Sequence, residues 1–275
     1  MSARLLLAAF LSLAIAGCER APPPVSVAPG NGTISTAPTI DIDAEAARLQ
    51  ASLAREVPGM VTDTPDSEHR WTALAQAAMA AGGHPVTRPQ LLVVVDRNPA
   101  IQQMRIVLAL PSAPWRSLGG SKVSTGQEGR HGYFITPTGV FPHTDAILDW
   151  RAEGTFNENH IRGLGAKGMR VWDFGWQSAE RGWQADGGMA DIRLLVHATD
   201  PDYLEQRIGK PASKGCVRVP AVVNIFLDRH GILDADYEAA AKADPRYAAV
   251  LRPDRTPTPL AGDMLVIVDS AGAAF

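Results

Sequence analysis

The chain is predicted to fold as a mainly β domain with peripheral helices, preceded by a short helical segment. Three observations predict this. Leu91-Leu92-Val93-Val94-Val95 and residues 104–110 are apolar, β-branched runs flanking the turn signal Asp96-Arg97-Asn98-Pro99. Further runs of the same kind occur at 169–174, 192–197 and, near the end, 264–268. Ahead of them, 41–57 and 68–81 set Leu49, Leu53, Trp71 and Leu74 among alanines at helical spacing, and Gly82-Gly83 stops the second stretch. With 275 residues and 45% hydrophobic content, there is material for one sizeable core, with at most a small appendage.

Taken in order, the elements begin with a segment that is not part of the fold. Residues 1–17 have a short n-region with Arg4 and an apolar stretch over 5–16. They end in Ile15-Ala16-Gly17 before Cys18, the small-residue shape of a lipoprotein processing site. The stretch is shorter than the ~20 residues a membrane helix needs, so a cleaved signal is expected, with Cys18 lipidated. Residues 18–40 are rich in Pro, Ala and Gly, including Pro22-Pro23-Pro24, and read as an extended tether. The helical segment then occupies 41–88 and the catalytic domain 89–270, where 221–229, ended by His230-Gly231, and 237–242 are helix candidates after the last motif. No internal repeat is visible.

Charge and motif content narrow the function. The formal charge is −3, about −4 once a segment carrying Arg4 and no acid is removed, and no basic stripe invites nucleic acid. His131, His143 and His160 have no zinc-site spacing, and neither a metal nor another cofactor is expected. Gly163-Leu164-Gly165-Ala166-Lys167-Gly168 has the form G-x-G-x-x-G. It precedes a strand candidate instead of following one, so it is not read as a dinucleotide site.

The chemistry points to Cys216. It lies in Ser213-Lys214-Gly215-Cys216-Val217-Arg218, nineteen positions after His197, which ends the apolar run at 192–197. A thiol attacks as thiolate, and near its ordinary pKa of ~8.5 little is ionised at neutral pH, so a reactive cysteine needs a base or a positive field beside it. With Cys18 acylated, Cys216 has no partner for a disulfide. The alternative is an inert buried thiol.

These residues resemble the catalytic domain of the YkuD-type L,D-transpeptidases, cysteine enzymes that cross-link bacterial peptidoglycan. The opening strand pair, Val123-Ser124-Thr125-Gly126 with the Thr136 to Phe141 stretch, His197, and Ser213 to Cys216 match in order. The last resembles the family's Ser/Thr-His-Gly-Cys signature, with Lys214 in place of the histidine. The resemblance implies a β-sandwich/barrel catalytic domain, Cys216 as nucleophile and His197 as base. It also implies an oxyanion hole of backbone N–H groups at Lys214, Gly215 and Cys216, and a histidine held by the Ala198 carbonyl, with Asp200 a rival. Arg218, Ser213 and Asn159 are candidates for substrate contact, Arg218 equally for an internal salt bridge. Lys214 reads more readily as a solvated side chain than as a thiolate-stabilising one, and Trp172, Trp176 and Trp183 as packing.

The implied activity is cysteine-dependent acyl transfer on tetrapeptide stems, with a thioester intermediate and release of D-alanine. Two alternatives remain open: a carboxypeptidase or amide hydrolase using the same site, and an idle wall-tethering lipoprotein. The implied partners are peptidoglycan stems and, through the lipid, a membrane, placing the protein in the cell envelope facing the periplasm.

Overall fold

The computed structural model describes residues 40–272; the expected signal, Cys18 and all of the tether except Ile40 lie outside the described residues. Two helices come first, α1 (Ile42–Glu56) and α2 (Pro65–Ala81). Each starts at a side-chain cap: Asp41 accepts the Ala44 N–H, and Thr64, followed by Pro65 in the first turn, accepts that of Ser67. Strands β1 (Gln90–Asp96), β2 (Gln103–Ala109), β3 (Arg116–Lys122), β4 (Gly139–Pro142) and β5 (Trp150–Arg151) follow. Next come the long hairpin of β6 (Arg170–Glu180) and β7 (Met189–Ala198), and the short β8 (Val217–Val219). Helices α3 (Ala221–His230), α4 (Ala235–Ala240) and α5 (Pro245–Val250) lead to the last strand, β9 (Met264–Val268). Among the described residues, no helix is long and apolar enough to cross a membrane.

The strands form two sheets, β3-β2-β1-β9-β4 and β5-β6-β7-β8, so the fold is mainly β with peripheral helices. Successive strand residues point to opposite faces, and β1 shows what that alternation builds. Leu91, Val93 and Val95 enter the core between the sheets, against Trp172, Leu194, Val196 and Val217 of the second sheet. Leu92 and Val94 enter a separate core under α2, with Trp71, Ala75 and Met79. Burial on both faces is why β1 is an unbroken apolar run instead of an alternating one. The helical segment thus packs directly on the sheets, since Leu49 and Leu53 of α1 and Val223 and Phe226 of α3 share the inter-sheet core. With one face of the second sheet turned inward, its opposite face is left to carry the site.

Candidate active site

The site is built on the outer face of β7 and β8. In β7, Leu194 and Val196 enter the inter-sheet core, so Arg193, Leu195 and His197 project from the other side. In β8, Val217 and Val219 point inward, which puts the flanking Cys216 and Arg218 on that same outer side. The strands run parallel, with Val196 opposite Val217 and His197 opposite Arg218. Cys216 therefore sits beside Leu195, with which it packs in a small cluster including Ala152 and Val171. His197 lies one strand repeat, ~7 Å, farther along the same face. The Cys216 thiol is 3.6 Å from the Arg193 carbonyl, and the Leu195 N–H is hydrogen-bonded to the sulfur.

The loop before Cys216 is held by a dense hydrogen-bond frame. Ser213 Oγ accepts the Gly215 N–H (3.0 Å) and donates to the Cys216 carbonyl (2.6 Å). Thr136 Oγ1 donates to the Gly215 carbonyl and accepts the Gly126 N–H, both at 2.8 Å. Ser124 and Arg218 exchange a pair of backbone bonds, and the Gln102 side chain clamps both the N–H and the hydroxyl of Thr125. The Val123 to Gly126 stretch and Thr136, distant in sequence from Cys216, are thus the walls against which its loop is folded. Gly215 has φ +125°, a backbone conformation L side chains rarely adopt, so the turn needs glycine; a Cβ there would also press on the movable end of Ile192, 2.6 Å away at Cδ1.

Ser213 is buried with its hydroxyl engaged inside the loop, so it shapes the loop and does not face a ligand, contrary to the substrate-contact expectation. Gly215 likewise has its N–H occupied by Ser213, which leaves Lys214 and Cys216 as the candidate oxyanion donors.

His197 is buried, and its Nδ1 lies 2.5 Å from the Ala198 carbonyl. An oxygen there can only accept, so Nδ1 carries the hydrogen and Nε2 is the bare lone pair. Burial, reinforced by the Arg218 charge, lowers the imidazole pKa to about 4. Asp200, the rival orienter, is occupied elsewhere by the backbone N–H groups of Arg162, Asp202 and Tyr203. Burial raises the Cys216 thiol above its ordinary range, more than the Leu195 N–H and Arg218 lower it. The same desolvation lowers Arg218, whose Nη1 donates to the Ala212 carbonyl and whose Nε is buried with no partner. Among the described residues Arg218 has no carboxylate partner, so the internal salt bridge is not formed.

A cavity of about 650 Å³ opens beside this loop, lined by Arg130, Tyr133, Asn159, Arg207, Lys214 and Arg218. A second, of about 530 Å³, is lined by Trp150, Phe156 and Leu164. Asn157 and Gly163 line both, so the polar loop singled out in the sequence is the wall between them. Its Gly163 to Gly168 run packs under the end of β7, where a Cβ on Gly165 would lie 2.8 Å from that of Ala198. Arg130, Tyr133 and Arg207 carry no signal in the sequence, since each is an isolated residue brought to the cavity only by folding. Trp172 fills the core and Trp183 packs on Phe134, whereas Trp176 stands 66% exposed, contrary to the packing expectation, because it lies on the outward half of the β6–β7 hairpin. Among the described residues, no group of His, Cys, Asp or Glu could hold a metal ion.

No protein-family model and no curated protein matches the chain. Among solved structures, it is similar to a fused Zn-dependent amidase/peptidase/peptidoglycan-binding domain-containing protein from Clostridium acetobutylicum. The two share 13% identity with a TM-score of 0.27, over 75% of this chain and 65% of that one. The chain thus spans just under two thirds of that protein, and a likeness at this level carries no argument about what the site does.

Proposed function

We propose that the protein is a cysteine acyltransferase of peptidoglycan, an L,D-transpeptidase acting on tetrapeptide stems. The observation that carries this reading is the placement on one sheet face of Cys216 and, one strand repeat along, a buried, neutral His197 whose free lone pair is on Nε2. The imidazole is unprotonated at pH 7 and so able to accept a proton, while its lowered resting pKa makes transfer from a thiol raised by burial uphill until negative charge develops on the sulfur. In the proposed reaction, His197 Nε2 takes the Cys216 proton as sulfur attacks the carbonyl of the L-to-D peptide bond. The backbone N–H groups of Lys214 and Cys216 receive the developing oxyanion. The C–N bond then breaks, the imidazolium returns the proton to the departing amine of D-alanine, and a thioester remains on Cys216. An amine of a second stem, or water, resolves it.

Residues 1–18 support a further part of the reading, that lipidated Cys18 anchors the enzyme to a membrane facing the periplasm. Fatty-acid labelling that marks the wild type and spares Cys18→Ser is the expected result. For the chemistry, the full chain is incubated with a defined tetrapeptide, with and without an amine acceptor, and analysed by mass spectrometry. A mass increment on Cys216, absent in Cys216→Ala, is expected, discharged faster when the acceptor is present. Absence of any adduct on the wild type would refute the reading, and discharge at one rate in both conditions would assign the site to hydrolysis.

A further inference from the structure

Among the described residues, arginines are for the most part matched to carboxylates. The rule spans buried Arg105 and Arg170, half-exposed Arg151 and Arg193, and exposed Arg246. The 650 Å³ cavity beside the loop that carries Cys216, lined by Lys214 and Arg218 but not by Cys216 itself, departs from it. Arg130, Arg207, Lys214 and Arg218 all line it, none has a carboxylate partner among the described residues, and the one acid on its wall, Glu158, is paired with none of them. Two of the cations contact one ring: the Arg130 guanidinium lies 4.4 Å and the Lys214 ammonium 5.8 Å from the centroid of Tyr133. The third, Arg218, is half-buried, and its buried Nε has no hydrogen-bond acceptor although its Nη1 donates to the Ala212 carbonyl. Like charges gathered without counter-ions around a concave wall focus a positive potential, and a buried unpartnered guanidinium donor is unfavourable until an acceptor arrives.

We propose that this cavity selects a ligand with at least two free carboxylates, one received by Arg218 and a second by Arg130 and Lys214 over Tyr133. Lys214 and Arg218 belong both to this wall and to the loop that carries Cys216, so the anions bound here are groups on the acyl donor itself. That step rests on the acyl-transfer reading above. A donor peptide whose carboxyl groups are amidated then loses the forked, charge-assisted bonds that a guanidinium makes with a carboxylate. Lys214, which stands where the related signature has histidine, acquires a role through its charge, separate from its backbone N–H.

The test uses the full chain carrying Cys216→Ala, so that binding is read without turnover. The probes are synthetic L-alanyl-γ-D-glutamyl-diaminopimeloyl-D-alanine and its diamide at the glutamyl α-carboxyl and the free diaminopimelate carboxyl. Calorimetry at low salt is expected to show the diamide binding at least about tenfold more weakly, as loss of a charge-assisted bond implies. The preference should fall below about threefold when Arg130→Gln and Lys214→Gln are added. Both side chains are exposed, so the fold is kept. Equal affinities for the two peptides, no binding of either, or a preference unchanged by the double substitution would overturn the proposal. Acylation of otherwise wild-type Cys216 is read separately. A thioester with equal affinities removes the carboxylate selection and keeps the acyltransferase, whereas the expected preference without a thioester does the reverse.

Discussion

Cys216 and His197 are each shifted toward the neutral form, which sets this site apart from one with a preformed thiolate. Burial holds the thiol up and the imidazole down, and Arg218, opposite His197 in the register, pushes the imidazole in the same direction. Two outcomes are expected. Without substrate, alkylation of Cys216 by iodoacetamide should be slow at pH 7 and rise only above the ordinary thiol range; a fast plateau at pH 6 would show a preformed ion pair. In NMR titrations, His197 should protonate near pH 4, and Arg218→Gln should move that midpoint up by removing the second contributor to the shift. An unmoved midpoint would place the whole effect in burial. Cys216, His197 and Arg218 are legible in the sequence because the nucleophile's loop is local and the histidine ends an apolar strand. Their protonation is not legible, since it depends on how deeply the second sheet buries them, and neither is the contact of Arg130 and Lys214 with Tyr133.

The element that makes these residues a site is the turn at 213–216. Its shape is set by a glycine in a backbone region that L side chains avoid and by a serine that ties both neighbouring peptide groups. Gly215→Ala is expected to abolish acylation of Cys216, because at φ +125° an L side chain is strained and the strain is relieved by rotating the Lys214 and Cys216 peptides. Circular dichroism should stay native, since the sheets do not depend on the turn; retained acylation would mean that the turn's conformation is dispensable. Sequence reading recovers the elements whose apolar pattern is self-evident, namely β1, β2, β9, α1, α2 and α3. It misses β3, where Gly119 and Gly120 dilute the strand signal. Gly120 is required because a Cβ there would lie 1.8 Å from the Met104 carbonyl, at the bulge between β2 and β3. The outer halves of β6 and β7, polar and paired mainly with each other, are missed as well, because nothing in their own composition requires a strand.

Across the whole molecule, a buried ionic cluster joins the second sheet to the C-terminal helices and so holds up the face that bears the site. Arg170 of β6, fully buried, contacts Asp149 (2.8 Å), Asp234 (3.2 Å) and Asp228 (3.5 Å), and Arg151 joins at Asp228 (2.8 Å). Replacing Arg170 by methionine leaves buried carboxylates unpaired and should cost about 3–5 kcal/mol in urea unfolding; a loss under about 1 kcal/mol would show the cluster to be energetically neutral. His143 belongs to it, with its nitrogens against the Leu233 carbonyl (2.8 Å) and Asp149 (2.9 Å). Burial alone would lower its pKa, but the Asp149 and Asp234 charges prevail and raise it above the ordinary 6.5. His197 runs the opposite way, and the two have opposite pH signatures. Because the folded pKa of His143 is raised, its stabilisation is present below 6.5 and lost as pH rises through the raised value. Because that of His197 is lowered to about 4, the unfolded chain takes up a proton the folded protein refuses. Its contribution is thus whole above 6.5 and lost as pH falls toward 4, a decline of up to about 3 kcal/mol. Unfolding free energies of wild type and His197→Gln measured from pH 8 to pH 4 should therefore diverge only below 6.5, with the wild type falling more steeply. Parallel curves would mean that His197 is solvated in the folded protein, and the neutral base on which the acyl-transfer reading rests would be lost.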